Sequence, residues 1–151
     1  MIRALTAAVI LTFSGASLAA AQGPDPIGYV KEVSGTARIL SAAGPRQAAL
    51  GGPVYPDDTL ETGADGALGV LFIDDSKLSL GADTSLTIDE YVFVPNEEQG
   101  SFVSRLARGT LLYVSGLIAK LSPESARVDT SVGTIGIRGT RFLVRLEWAD
   151  E

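Results

Sequence analysis

From residue 27 onward, apolar and polar positions alternate with a period close to two, in short runs bounded by Gly, Pro, Asp and Ser. Tyr29 to Leu40 predicts two strands either side of Ser34-Gly35, with Val33, Ala37 and Ile39 on one parity and Glu32, Ser34, Thr36 and Arg38 on the other. Gly-Pro at 44–45, Gly-Gly-Pro at 51–53 and Pro-Asp-Asp at 56–58 mark turns before a strand at Thr59 to Thr62. Ala67 to Ile73 is apolar on both parities and reads as the central buried strand, with Gly69 admitting close approach of a neighbour. Asp74-Asp75 then turns the chain into Leu78 and Leu80 as a hairpin. A further turn at 81–84 leads to Leu86 and Ile88, and the shift of apolar parity to Tyr91 and Phe93 predicts a β-bulge at Asp89-Glu90. After a polar loop at 95–100, strands are expected at Ser101 to Leu106 and Thr110 to Val114, joined across Ala107-Arg108-Gly109. Short helical turns fit Leu117 to Leu121 and the residues after Ser122, followed by a strand at Ala126 to Thr130. No helical run of useful length follows the first residues, so the pattern predicts an all-β domain, a compact β-sandwich or a short solenoid-like stack of about ten short strands.

The stretch Gly133 to Leu146 stands out as the one that upstream strands would pack against. Phe142, Val144, Leu146 and Trp148 share one face, Arg141, Arg145 and Glu147 the other, and only Leu143 breaks the alternation, which predicts a half-buried strand. Gly133, Gly136 and Gly139 precede it at a spacing that suits no phosphate loop or dinucleotide fingerprint, so conformational freedom or close strand approach explains them better. Gly-Thr recurs beside strands, and LETGADGALGVLF loosely resembles VDTSVGTIGIRGTRFLV, as two similar β units would; the match is too irregular for a repeat array.

Composition changes the picture at the N-terminus. A basic lead ending at Arg3, an apolar run from Ala4 to Phe13 and small residues to Ala21 have the layout of a secretory signal peptide, with Ala19 and Ala21 placing cleavage between Ala21 and Gln22. The expected organisation is a signal peptide at 1–21, a flexible Gly-Pro leader at 22–26 and one β domain at 27–148, in the periplasm or secreted, with contact to a membrane only during export. Loss of Arg3 leaves 11 basic against 18 acidic side chains, a charge of −7 that makes nucleic acid or an anionic bilayer a poor partner. There is no cysteine, so an exported chain must hold together by packing and strand pairing.

Several separated motifs together resemble the FecR domain family. They are Gly28-x-Val30-x-x-Val33-x-Gly35, Asp57-Asp58-Thr59-Leu60-x-Thr62, Phe72-x-Asp74-x-Ser76-x-Leu78-x-Leu80-Gly81, and Val128-x-Thr130 followed by Ile135-Gly136-Ile137-Arg138-Gly139-Thr140-x-Phe142. The resemblance runs from about Gly28 to Leu146. It implies an all-β periplasmic module, in a family whose best-known bearers relay iron-siderophore signals to a cytoplasmic sigma factor. This chain resembles only the periplasmic module, so sigma-factor regulation is not implied. Gly136, Arg138, Gly139, Thr140 and Phe142 carry the family motif and are expected to be structural, with a partner contact open to them. The family's Asp-Gly-Ser turn is Asp74-Asp75-Ser76 here, which requires Asp75 to accept the backbone conformation of a glycine.

The absence of histidine and cysteine removes Ser-His triads, thiol catalysis and typical zinc sites. Asp57-Asp58, Asp74-Asp75 and Asp89-Glu90 have the oxygen ligands for calcium or a glycosidase pair, but each lies at a turn and none fits a calcium-loop pattern, so solvated turn caps are expected. Arg138 among its glycines is expected to staple a turn aspartate or else to meet a partner. Tyr29, Tyr55, Tyr91, Tyr113 and Trp148 are too scattered to form a sugar platform. The reading that results is a non-enzymatic envelope binding or scaffold module, without cofactor or metal, that meets a protein partner through a β surface. Arg145, Glu147 and the loop Asn96 to Gln99 would select that partner. A carbohydrate or peptidoglycan binder is the alternative, and a carboxylate-dependent hydrolase the third.

Overall fold

A computed structural model describes residues 23–139 and 141–147, in which twelve strands alternate with turns and one short helix. In chain order the strands are β1 (Gly28–Ser34), β2 (Ala37–Ser41), β3 (Gly44–Gln47), β4 (Pro53–Val54), β5 (Thr59–Thr62), β6 (Ala67–Phe72), β7 (Lys77–Leu80), β8 (Ser85–Val94), β9 (Gln99–Val114), β10 (Ala126–Thr130), β11 (Gly133–Gly136) and β12 (Arg141–Leu146). The helix α1 is Leu117–Leu121. The proposed cleavage point at Ala21 and Gln22 lies outside the described residues, as do Thr140 and Trp148.

The sheet runs β3-β2-β5-β8-β9-β7-β6-β1-β4 and curls on itself at β9. The first half of β9 pairs with β8 and β10, while its last residues pair with β7 and β12. β9 therefore belongs to two leaves. The β1 leaf is β4-β1-β6-β7-β9-β12, and the β2 leaf is β3-β2-β5-β8-β9-β10-β11. Among the described residues every pairing is antiparallel except β9 with β10, which rules out a solenoid of stacked parallel coils.

Ala107-Arg108-Gly109 is accordingly not the turn expected from sequence. Arg108 still pairs with Ser85, and Gly109 at φ 92° bends a continuous strand from one leaf to the other. A side chain at Gly109 would collide with Thr84, whose hydroxyl accepts from Thr110 N–H at 2.9 Å and so ties the bend to the turn before β8. The bulge at Asp89-Glu90 occurs where the parity shift placed it, between the pairs Ile88–Ser104 and Glu90–Val103. Gly69 also performs as expected, lying against Glu32 where β1 bulges.

One core fills the space between the leaves. Leu68, Val70, Phe72, Leu78 and Leu80 enter it from the β1 leaf, and Ile39, Leu60, Leu86, Ile88 and Phe102 from the β2 leaf. A ladder of rings crosses it: Tyr91 stacks on Phe72 at 5.4 Å, Phe72 meets Phe102 edge-on at 5.5 Å, and Phe102 stacks on Tyr113 at 5.1 Å. Burial of these side chains, each contributing roughly 1.5–3 kcal/mol, is what a disulfide-free chain has to set against its lost conformational entropy. Ser104 interrupts this apolar interior, fully buried with no hydrogen-bond partner for its hydroxyl among the described residues. Ser104→Ala is therefore expected to stabilise the domain by about 1 kcal/mol, read as a higher melting temperature.

Candidate contact surface

The turn between β6 and β7 holds the most densely bonded side chain among the described residues. Asp74 is wholly buried, and its Oδ1 accepts from Ser76 Oγ at 2.6 Å, Tyr91 OH at 2.9 Å and Ser76 N–H at 3.2 Å. Its Oδ2 accepts from Ile118 N–H at 3.1 Å, at the start of α1, and its carbonyl accepts from Leu117 N–H at 2.8 Å. One carboxylate thus fixes a hairpin, the bulged strand β8 and α1 to each other. Asp75 takes the left-handed conformation at φ 67°, as the aspartate standing at the family's glycine position must. Burial raises the pKa of the Tyr91 phenol far above its ordinary value, and the charge of Asp74 adds to the shift. Tyr113 is raised for the same first reason, with the Ser76 hydroxyl opposing and Asp74 reinforcing the effect. Gly116 lies against this turn so closely that a Cβ would overlap Asp74 O and Ser76 N, both backbone atoms. Gly116→Ala is expected to cost about 1–3 kcal/mol in denaturant unfolding, because neither neighbour can move without breaking the turn.

The acidic pairs divide their work instead of forming solvated caps throughout. Asp58 is buried and receives Arg46 at 2.9 Å and Tyr55 N–H at 3.0 Å, while Asp57 beside it is exposed at φ 68°. Asp89 pairs with Arg105 on the surface. One acid of each pair, Asp58, Asp74 or Asp89, is already engaged with a cation, a hydroxyl or a backbone donor, an arrangement that stabilises turns. Among the described residues no cluster of acids is arranged to hold a metal ion.

The guanidinium staple expected of Arg138 is made by Arg46, which also donates to Pro53 O at 2.8 Å and lies over the Tyr55 ring. Arg138 is exposed and forms no ion pair among the described residues. Its segment is a crossover between leaves. Ile137 is buried and donates its N–H to Ala126 O at 2.8 Å, Gly139 turns at φ 61°, and Phe142 begins the inward face of β12 against Tyr113 at 5.6 Å. Among the described residues nothing lies within 4 Å of where a Cβ would stand on Gly133, Gly136 or Gly139, so close strand approach does not explain them there, and a left-handed turn does so at Gly139.

The strand β12 is not the centre of the domain but the end of the β1 leaf, paired on one side with β9 and, among the described residues, with nothing on the other. Its inward residues Phe142, Val144 and Leu146 are only half-buried, and Arg141, Leu143 and Arg145 are exposed. Register carries those outward residues into rows across the leaf: Tyr29, Leu71, Lys77, Val114 and Arg141 in one, Glu32, Gly69, Ser79, Leu112 and Leu143 in the next. The result is an open face of apolar residues with cations on β7 and β12 and one acid, Glu32, on β1. The loop Asn96 to Gln99 is not part of it. That loop enters β9 on the β2 leaf, whereas Arg145 pairs with Thr110 on the β1 leaf, so the two do not frame one surface. Tyr91 and Tyr113 are in the core and Tyr29 is on the outer face, which leaves no tyrosine platform among the described residues.

Three comparisons with known proteins bear on this arrangement. No curated protein matches the chain. Among solved structures, one described as a cell surface anchoring domain matches at 27% identity over 41% of this chain and 83% of its own, with a TM-score of 0.39. The family model described as FecR protein matches residues 58–150. That span contains the Phe72 to Gly81 and Val128 to Phe142 motifs and leaves the Gly28 to Gly35 motif outside it. With more than half of its residues inside the match, the chain belongs to the FecR protein family.

Proposed function

We propose that the chain is an exported, non-enzymatic contact module of the cell envelope, in which a β domain at 27–148 follows a cleaved leader at 1–21 and a linker at 22–26. The domain binds another envelope protein through the β1 leaf. The observation that carries this reading is the edge of β12 left unpaired among the described residues, where core side chains stay half-open and backbone groups face outward. Family membership supports an envelope role, and the engagement of one acid of each pair in a turn or surface ion pair supports a role without catalysis.

The test is export followed by capture. The processed protein is expected to begin at Gln22 by mass spectrometry of the envelope fraction, and crosslinking there is expected to join it to a protein partner through β12. Retention of the unprocessed chain in the cytosol, or crosslinking to glycan alone, would end this reading.

A further inference from the structure

We infer that the edge of β12 left without a neighbour among the described residues receives an extended peptide strand whose outward positions read acid, apolar, acid. This rests on the contact reading above and gives the partner its chemistry. The outward row of β12 is Arg141, Leu143 and Arg145, with Leu143 63% exposed although it is a large apolar residue. Arg141 makes no ion pair among the described residues, and Arg145 has only a 3.4 Å contact to Thr110 Oγ1 and a 3.8 Å pair with Glu147. Across β9 and β7 the same face presents Val114, Leu112, Thr110, Lys77 and Ser79, so the outward residues of these three strands include cations and no acid. A strand added beside β12 would place acids opposite the two arginines and an apolar side chain opposite Leu143. Its inward residues would extend over Phe142, Val144 and Leu146, covering core that β12 leaves half-open.

A second copy of the chain is the occupant that this pattern rejects. The segment Arg-Phe-Leu-Val-Arg at 141–145 has its charges symmetric about Leu143. Antiparallel pairing of two copies around that residue would set Arg141 of each opposite Arg145 of the other, bringing like charges together twice. The edge is therefore guarded against self-association while remaining complementary to an acidic strand.

The probe is a capped, labelled peptide Thr-Glu-Val-Val-Val-Glu-Thr, whose palindromic core presents acid, apolar, acid in either strand direction. Fluorescence anisotropy with the processed protein is expected to show saturable binding, about ten-fold weaker for Arg141→Glu/Arg145→Glu and unchanged for Arg38→Glu/Arg127→Glu, which alters net charge equally on the β2 leaf. A Lys-Val-Val-Val-Lys peptide is expected to bind the Arg141→Glu/Arg145→Glu protein and not the wild type. Equal binding of a scrambled peptide of the same composition, equal losses in both double variants, or no binding by wild type would overturn the inference. The broader contact reading has a separate outcome. If wild type and Arg141→Glu/Arg145→Glu crosslink to the same envelope protein with the same yield, the module reading stands and the acidic-strand assignment falls.

Discussion

Asp74→Ala is expected to destabilise the domain by about 3–5 kcal/mol, lowering the melting temperature by roughly 10–20 °C. The reason is what the change leaves behind. Ser76 Oγ, Ser76 N–H, Tyr91 OH and Ile118 N–H all donate to this carboxylate in a site closed to water, and alanine strands every one of them. A loss of that size is a large fraction of the stability of an ordinary domain. Tyr91→Phe removes one donor and keeps the ring, so about 1–2 kcal/mol is expected from it alone. In a double-mutant cycle the two losses should add to less than their sum, because the Tyr91 hydroxyl has lost its acceptor once Asp74 is gone. Full additivity, or a loss under 1 kcal/mol for Asp74→Ala, would mean that the turn is held by its backbone bonds and not by the side chain.

Alkaline pH is expected to unfold the domain steeply from about pH 10 upward. Tyr91 and Tyr113 have folded-state pKa values raised by burial, whereas in the unfolded chain both phenols ionise near the reference value of about 10. The folded state then retains protons that the unfolded state releases, so stability is fully present below pH 10 and declines as pH rises. Each tyrosine contributes a slope of about 1.4 kcal/mol per pH unit, or near 3 for the two together. Urea unfolding at a series of pH values would measure it. In Tyr91→Phe the slope above pH 10 should fall by about half even though the variant starts less stable, which separates titration from simple weakening. A flat profile between pH 10 and 11.5 would contradict the assignment.

The local features of this fold were legible in the sequence, and the long-range ones were not. The Asp89-Glu90 bulge, the Asp74-Asp75 hairpin and the short helical turn at 117–121 follow from alternation and turn chemistry over a few residues. Asp75 at positive φ was open from the resemblance, since the family's glycine is replaced there and aspartate only tolerates that conformation better than most residues. The burial of Asp74 was not legible. Its partners Tyr91 and Ile118 are 17 and 44 residues away, and a turn aspartate bonded to them has the same local sequence as one facing water. The continuity of β9 was hidden likewise, because Ala-Arg-Gly reads as a turn whether the chain reverses or only bends. Arg46 gave no signal, lying in a four-residue strand whose partner aspartate comes from another turn.

The run Ala67 to Ile73 carries a different lesson. Apolar residues at both parities predicted a strand covered on both faces, but Ile73 is 48% exposed and Leu71 half-exposed. The surplus outward apolar residues belong to the same open face as Leu112, Val114 and Leu143. Pattern reading assigned them to an interior, and the described residues provide no layer over them.

The sharing of β9 between two leaves dictates an order of assembly. A polypeptide released N-terminus first presents β1 to β8 with no strand to join Lys77–Leu80 to Ser85–Val94 until residues 99–114 have emerged. Until then both half-sheets expose ladders without neighbours, the condition in which nascent chains adhere to one another. Both halves of the sheet are therefore expected to stay open to other chains until that single segment arrives and closes them at once.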